Sequence, residues 1–430
     1  MKDKVFTTCI IGGGPSGMMA AYRCANKNNK VILIEQNEKL GKKLFITGKG
    51  RCNVTNNCEK DEFFSNVVTN AKFLFSSFNN FSNKDIIDFF NTNNCMLKTE
   101  RGGRVFPEGD KAYLITDCFK HLLNKNNVNI LLNSKVTKID ISKNEDARYT
   151  IEYIDTSKDT KNQIVCDFLV LACGGYTYKS TGSDGFAYSF ARKNNINLIN
   201  LDRGLVPIEF SNKDVLELSN LSLKNVSIKC FCNDKLVYED FGEMTFSNYG
   251  AYGPIILSLS SYINSEYIKS NKYTVSIDLK PALTEDKLDK RIISDFKLNP
   301  GKPIKSSLSL LLPRKLIPVF LNRLKKQGLD IDEKVGEVSK DNRHKIIKLL
   351  KSFDFSIKGK RSFDEAIITK GGIDVKEINP KTMQVKKFPN LYIVGESLDV
   401  DCLTGGFNIS VAISTGACAG DDIKNLTFIN

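Results

Sequence analysis

The chain has 430 residues, roughly three times a common single-domain length of about 150. With 41% hydrophobic and 26% charged residues its composition is globular, which excludes disordered, collagen-like and disulfide-scaffold classes. Basic residues outnumber acidic ones by 62 to 49, a net charge of +13. The lysines are spread along the chain among asparagines, with no arginine-rich block. The reading is therefore a solvated Lys/Asn-rich surface that draws anionic cofactors or substrates, and nucleic acid is not expected as a partner.

Twelve cysteines are scattered from Cys9 to Cys418. The chain opens Met-Lys-Asp-Lys and the apolar run before Gly12 is too short for a secretory signal, so reduced thiols and a cytoplasmic location are expected. No stretch reaches the roughly 18 apolar residues of a membrane span. His121 and His344 are the only histidines, which argues against a multi-histidine metal site or a His-centred triad. No metal is expected, and demanding chemistry would come from a bound cofactor.

In chain order, Val5–Ile11 is a β-rich run ending at a glycine cluster. Helical spacing follows through Met18, Ala21, Tyr22 and Ala25, and Val31–Ile34 is a second strand. Both strands are nearly continuous in apolar residues, as expected of parallel strands covered on both faces. A Gly/Lys-rich loop runs over 41–57. Helical periods return at 84–91 and 112–123, and strands are predicted at 129–132, 135–141, 149–153 and 167–172. From about Lys193 to Leu279 short alternating strands are expected. A helical pattern then occupies 284–350, strands recur at 365–370 and 391–394, and 411–419 reads as a closing helix.

The strongest local signal is Gly12-Gly13-Gly14-Pro15-Ser16-Gly17 between a strand and a helix. In such a loop Gly12 makes the turn, Gly14 lets the backbone approach a pyrophosphate, and Gly17 lets the helix pack on the strand. The helix start offers free N–H groups and a positive dipole end to phosphates. Glu35 ends the second strand, where a carboxylate accepts hydrogen bonds from ribose hydroxyls. Near the other end, Leu391–Val394 runs into Gly395-Glu396, and Gly405-Gly406-Phe407-Asn408 opens the last helix. A second strand end with an acid, and a helix start that favours negative charge on a flavin pyrimidine, point to the extended FAD molecule rather than NAD.

A third constellation, Leu44 to Asn56, is a glycine-rich loop with Arg51, Cys52 and Asn53, placed where it could line a flavin. Cys52 and Cys58 have five residues between them, not the four of two-dinucleotide disulfide reductases, so Cys52 is read as a packing or flavin-contacting thiol ahead of a redox partner. Cys230 and Cys232 alternate on a strand and lack histidines to complete a zinc site. Gly174 and Gly175 end another strand, where glycine allows close approach of backbone to ligand. Arg104 is a candidate for an anionic substrate or a flavin carbonyl, with a solvated side chain as the alternative.

These residues together resemble the BaiN/YhiN-type family of FAD-dependent oxidoreductases, also known as aminoacetone-oxidase-family FAD-binding flavoproteins. The resemblance rests on GGGPSG, GKKLFITGKGRCNVTN, GGRVFPEGDKA, LACGGYTYKSTGSDG, GEMTFSNYGAYGPIILSLS and GESLDVDCLTGGFN, which span nearly the whole chain. It implies an α/β fold: a glutathione-reductase-like FAD-binding Rossmann domain with inserted β-barrel-like and small helical domains. The expected boundaries are 1–193 and 361–430 for the FAD domain, 194–280 for the barrel and 281–360 for the helices. Carried over by position, Gly12, Gly14, Pro15, Ser16 and Gly17 hold the pyrophosphate and Glu35 the ribose. Lys43, Arg51, Cys52 and Asn53 form the flavin-side loop, and Val136 meets adenine through its backbone. Gly395, Glu396, Gly406, Asn408 and Ile409 meet the ribitol and isoalloxazine. Ile409-Ser410-Val411 stands where the family often carries aromatics, which separates the pocket from any inherited substrate.

The activity the resemblance implies is NAD(P)H-dependent reduction of a conjugated C=C through hydride transfer at flavin N5. The substrate would be a small anionic or hydrophobic enone, as in a bile-acid reductase, and NAD(P)H a transient reductant. Tyr249, Tyr252 and Arg104 are the candidate proton donors. The alternatives are an FAD-dependent amine oxidase, an RNA-modifying flavoprotein and a non-catalytic flavin-binding protein.

Overall fold

The first strand, Phe6–Ile11, lies at the middle of a five-stranded parallel sheet in the order 391–393, 168–171, 6–11, 29–34, 129–131. Its neighbours are in register through Ile10↔Val170 and Ile10↔Leu33. These strands are short, β-branched and apolar on both faces; Leu33, Leu169, Val170 and Ile393 are fully buried, as a sheet covered on both sides requires. The computed structural model describes residues 5–142 and 148–429, so the opening Met1–Lys4 lies outside the described residues. The chain divides into two units, residues up to Asp202 together with those from Phe363 onward, and Arg203–Ser362.

In the first unit the helix Pro15–Cys24 follows the glycine loop and packs against the closing helix Phe407–Ile429. Proline at its first turn costs nothing, because that N–H has no intrahelical partner. Arg23 holds Asp421 through a two-pronged pair of 2.7 and 2.6 Å, so the start of the chain is fastened to its end. A three-stranded meander, 134–141, 149–155 and 160–166, is antiparallel throughout. A smaller sheet of 55–56, 104–107 and 97–99 carries the Gly/Lys-rich loop. The sequence reading has no strand at Thr160–Cys166, whose first four side chains are exposed and polar, and no helices at Lys60–Ser65, Phe75–Asn80 and Phe186–Lys193.

The second unit is built on a closed antiparallel barrel in the order 208–210, 250–252, 235–246, 222–232, 273–278, 353–360. Ile228, Cys230, Val275, Ile277, Phe353 and Phe355 are fully buried in its core; each such large side chain contributes about 1.5–3 kcal/mol by leaving water. Two expectations are corrected here. Pro254–Tyr262, read among strands, is a helix. The β-rich segment does not end at 280, because Phe353–Lys360, within the range read as helical, pairs with both 273–278 and 208–210 and so closes the barrel. Helices Glu285–Lys297, Ile317–Lys326 and Lys340–Lys351 lie between. No helix among the described residues is long and apolar enough to cross a membrane.

Candidate functional site

Gly12 leaves the first strand at φ +107, and a Cβ built there would lie 2.3 Å from the Ala172 carbonyl oxygen. Only glycine fits that turn. Gly14 differs: it has φ −75 and ψ −179, and a Cβ there would meet nothing within 4 Å. Open space therefore stands at the start of Pro15–Cys24, where no side chain caps the first turn. A helix start with uncapped amides and room beside its backbone fits a pyrophosphate. Ser16 and Gly17 are buried in that first turn.

Glu35 closes the loop from below. Its Oε2 accepts the Gly13 N–H at 2.7 Å, and its Oε1 accepts Asn37 N–H at 2.9 Å and Asn37 Nδ2 at 2.6 Å. Burial pushes this carboxyl up, opposed by the donors on it. Oε2 keeps a free acceptor position, as a ribose hydroxyl requires. The backbone carbonyl of Glu35 accepts Ser134 N–H at 2.9 Å, and Val136, buried in the meander, lies two residues beyond Ser134.

The Gly/Lys-rich loop and the closing helix meet, although some 350 residues separate them in sequence. Thr55 Oγ1 and Ser410 Oγ are 2.6 Å apart, and Asn56 Nδ2 donates to the Gly405 carbonyl at 3.2 Å. Asn408 clasps the preceding turn, accepting Cys402 N–H at 3.0 Å and donating to the Cys402 carbonyl at 2.9 Å. Ile409 is partly buried against the main core, and Gly406 follows Gly405 at the helix start.

Glu396 is the hub of a second convergence. Lys43 Nζ donates to its Oε2 at 2.8 Å and to Thr177 Oγ1 at 2.9 Å. Thr369 N–H donates to Oε1 at 2.9 Å, and Tyr188 Oη donates to the Glu396 carbonyl at 3.1 Å. Gly395 N–H donates to Thr415 Oγ1 at 3.0 Å, and Ser397 Oγ to the Gly174 carbonyl at 2.9 Å. Gly175 lies against Thr369 and Glu396. Sequence reasoning missed Thr177, Thr369 and Tyr188: Thr177 lies inside the LACGGYTYKSTGSDG motif without being singled out, no motif marks the other two, and only the fold brings all three to the acid.

Three loop residues face their own scaffold. Arg51 pairs with Glu100 at 2.8 Å and Asp110 at 3.2 Å, with its guanidinium 4.0 Å from the Phe106 ring centre. Asn53 Oδ1 accepts Val105 N–H at 3.1 Å. Cys52 is fully buried, and burial pushes its thiol up to about 12. Cys58 is also a free thiol. Of the proton-donor candidates, Arg104 belongs to this unit, exposed, its Nε donating to the Arg101 carbonyl at 3.2 Å. Tyr249 and Tyr252 belong to the barrel unit. The Arg361 guanidinium lies 4.3 Å from the Tyr249 ring centre, and Tyr252 is exposed.

A parallel sheet of this order, an uncapped glycine loop and two chain ends joined helix to helix define a Rossmann-type, FAD-dependent oxidoreductase. The family profile described as HI0933-like protein Rossmann domain matches residues 6–422, and the chain belongs to that family. It is 27% identical to 3-dehydro-bile acid delta(4,6)-reductase of Clostridium scindens, covering 96% of this chain and 97% of the relative. It is 28% identical to ribosomal RNA dihydrouridine synthase of Escherichia coli, covering 97% and 98%. Among solved structures, 3-ketosteroid delta1-dehydrogenase from Sterolibacterium denitrificans superposes with a TM-score of 0.53 at 12% identity, covering 98% of this chain and all of that one.

Proposed function

We propose that the protein reduces a carbon–carbon double bond conjugated to a carbonyl, with NAD(P)H as the electron source. The observation that carries this reading is an agreement in chemistry between relatives with unlike substrates. A 3-dehydro-bile acid delta(4,6)-reductase and a dihydrouridine synthase are each named for saturating a ring C=C that a carbonyl activates. Bound FAD supplies two-electron hydride chemistry at such a site.

The chain's own residues divide the remaining work. The start of Pro15–Cys24 and Gly14 hold the pyrophosphate, and Glu35 takes a ribose hydroxyl. The start of Phe407–Ile429 stabilises negative charge on the pyrimidine edge of the flavin. Lys43 fixes the Glu396 carboxylate, which would hold the ribitol of the bound cofactor. A proton must reach the carbon next to the carbonyl, and Tyr249 or Tyr252 Oη is the donor proposed. For Arg104 the proposed role is hydrogen bonding from the guanidinium to the substrate carbonyl.

The test is anaerobic stopped-flow with the FAD-loaded protein. Bleaching by NADH or NADPH, followed by reoxidation with a 3-oxo-4-ene steroid or a uridine-containing RNA, is the expected result. Absence of bleaching with either nicotinamide overturns the reductant. Fast reoxidation by oxygen with peroxide release, and none by alkenes, overturns the reaction in favour of an amine oxidase. A second reading names the acceptor as a uracil ring in RNA. It is favoured by the net charge of +13 and by the name of the Escherichia coli relative.

A further inference from the structure

The positive charge is not evenly distributed between the two structural units. Residues 1–202 and 363–430 hold 34 basic and 30 acidic side chains. Within 203–362, the segment 297–351 holds 14 basic against 5 acidic, while the rest of that unit holds 14 of each. One stretch of 55 residues therefore carries +9 of the +13.

Some of those cations are structural. Arg323 is held by Asp214 at 2.8 Å and stacked on Phe353, Arg343 by Asp289 at 3.0 Å, and Lys351 by Asp278 at 2.5 Å. The others are not. Lys325 and Lys326 end one helix, Lys340 and Lys348 lie on the helix packed against it, and Lys297, Lys302 and Arg314 lie on the preceding segment. All seven are exposed and enter no ion pair among the described residues. Their helices bury the opposite faces through Val319, Phe320 and Leu324, and through Ile346, Ile347 and Leu350. Lys340 also occupies the first helical position, where a cation works against the helix dipole. Local stability does not account for a lysine there.

We infer that the helical segment 297–351 is a docking surface for the phosphate backbone of RNA. The inference rests on the uracil reading of the acceptor and goes beyond it by assigning the contact to one part of the barrel unit. Phosphate is the complementary partner because exposed cations outside any ion pair displace the counterions condensed on a polyanion, whatever its sequence.

The test measures binding of the full-length, FAD-loaded protein to an unmodified ribosomal RNA transcript as a function of salt. The surface variant is Lys325→Gln/Lys326→Gln/Lys340→Gln/Lys348→Gln. The control is Lys27→Gln/Lys120→Gln/Lys125→Gln/Lys161→Gln, four exposed lysines of the other unit. The surface set is expected to lower the slope of log K against log salt by about 3, and affinity in 0.1 M salt by roughly 10²-fold or more. The control set is expected to leave both nearly unchanged. Lys297→Gln/Lys302→Gln/Arg314→Gln carries the same expectation as the surface set should the first variant lose its flavin absorbance. Equal losses in surface and control sets, or wild-type binding that the surface variants retain, overturn the surface while leaving the uracil reading standing. Wild-type protein that binds heparin as well as the transcript, and is not reoxidised by it, overturns the uracil reading, and the surface falls with it.

Discussion

Gly12 and Gly14 are two residues apart in one loop, yet replacing each with alanine has opposite consequences for the empty fold. At Gly12 a methyl group would be driven to 2.3 Å from the Ala172 carbonyl at φ +107, so the apoprotein loses about 2 kcal/mol or more through strain and clash. At Gly14, φ −75 and ψ −179 suit alanine and the new methyl meets nothing within 4 Å. The apoprotein should be unharmed or gain about 0.4–1 kcal/mol through a less flexible unfolded chain. The methyl does, however, occupy the space assigned to the pyrophosphate. Displacing one or two charge-assisted amide–phosphate bonds costs about 3 kcal/mol, or roughly 100-fold in Kd. Thermal unfolding of each apoprotein, with FAD titration followed by flavin fluorescence, separates the two effects. A Gly14→Ala protein that binds FAD as tightly as the wild type would refute placement of the pyrophosphate at this helix start.

Other perturbations probe the rest of the site. The Lys43–Glu396 pair, 2.8 Å long with both side chains 22% exposed, is buried enough that Lys43→Met should cost about 2 kcal/mol. In a double-mutant cycle with Glu396→Gln the losses should fall short of additive by about 1 kcal/mol; strictly additive losses in chemical unfolding would mean that the pair does not couple. Burial, and then the neighbouring Asp401 charge, pushes Asp399 up, so the folded protein holds that proton more tightly than the unfolded chain. Its contribution is full below about pH 3.9 and is lost as pH climbs through the raised folded value. Asp399→Asn should remove this loss, so its stability relative to the wild type should rise with pH from about 4 before levelling. A difference constant with pH would show that Asp399 does not titrate in this way. Cys52, with its thiol pushed up to about 12, should resist iodoacetamide at pH 8 in the native protein and react once unfolded. Rapid native labelling, or a diamide-induced bond to Cys58, would restore the redox-pair reading.

The parts of the fold legible in the sequence are those where one local pattern decides the structure. Phe6–Ile11, Pro15–Cys24 and Asn29–Ile34 are recognisable because nearly unbroken apolar runs flank a glycine loop, and no tertiary information is needed to place them. Thr160–Cys166 defeats the same method: as an outer, solvated strand it has no apolar alternation, and its pairing with 149–155 is its main structural cause. Pro254–Tyr262 is apolar on most sides, so its helical period is invisible, and only Gly253-Pro254 hints at a helix start. The barrel's last strand follows three helices in the chain, a long-range closure that local reading assigns to whatever surrounds it. The site divides likewise. Glycines and strand-end acids announce themselves, but Thr177 and Thr369 reach Glu396 only because separate segments converge on it. The net charge is legible in the composition, but its concentration in the helices of the second unit depends on the fold.

That location offers a way to choose between acceptors that the fold cannot offer, since a steroid dehydrogenase and this chain share an architecture at 12% identity. A steroid-like enone carries little charge, so its kcat/KM should respond weakly to ionic strength. An RNA acceptor docked as proposed would approach the cations of 297–351. Seven exposed charges acting on single-stranded phosphate give a salt slope near 5, which over a fourfold rise from about 50 to 200 mM is roughly a 10³-fold fall. Measuring kcat/KM for a 3-oxo-4-ene steroid and for an unmodified ribosomal RNA transcript across that range tests the choice on one protein. Divergent profiles, flat for the steroid and steep for the RNA, are expected if the basic helices recruit the substrate. Parallel profiles would mean that those helices play no part in presenting the double bond, and the case for a uracil acceptor would lose its physical support.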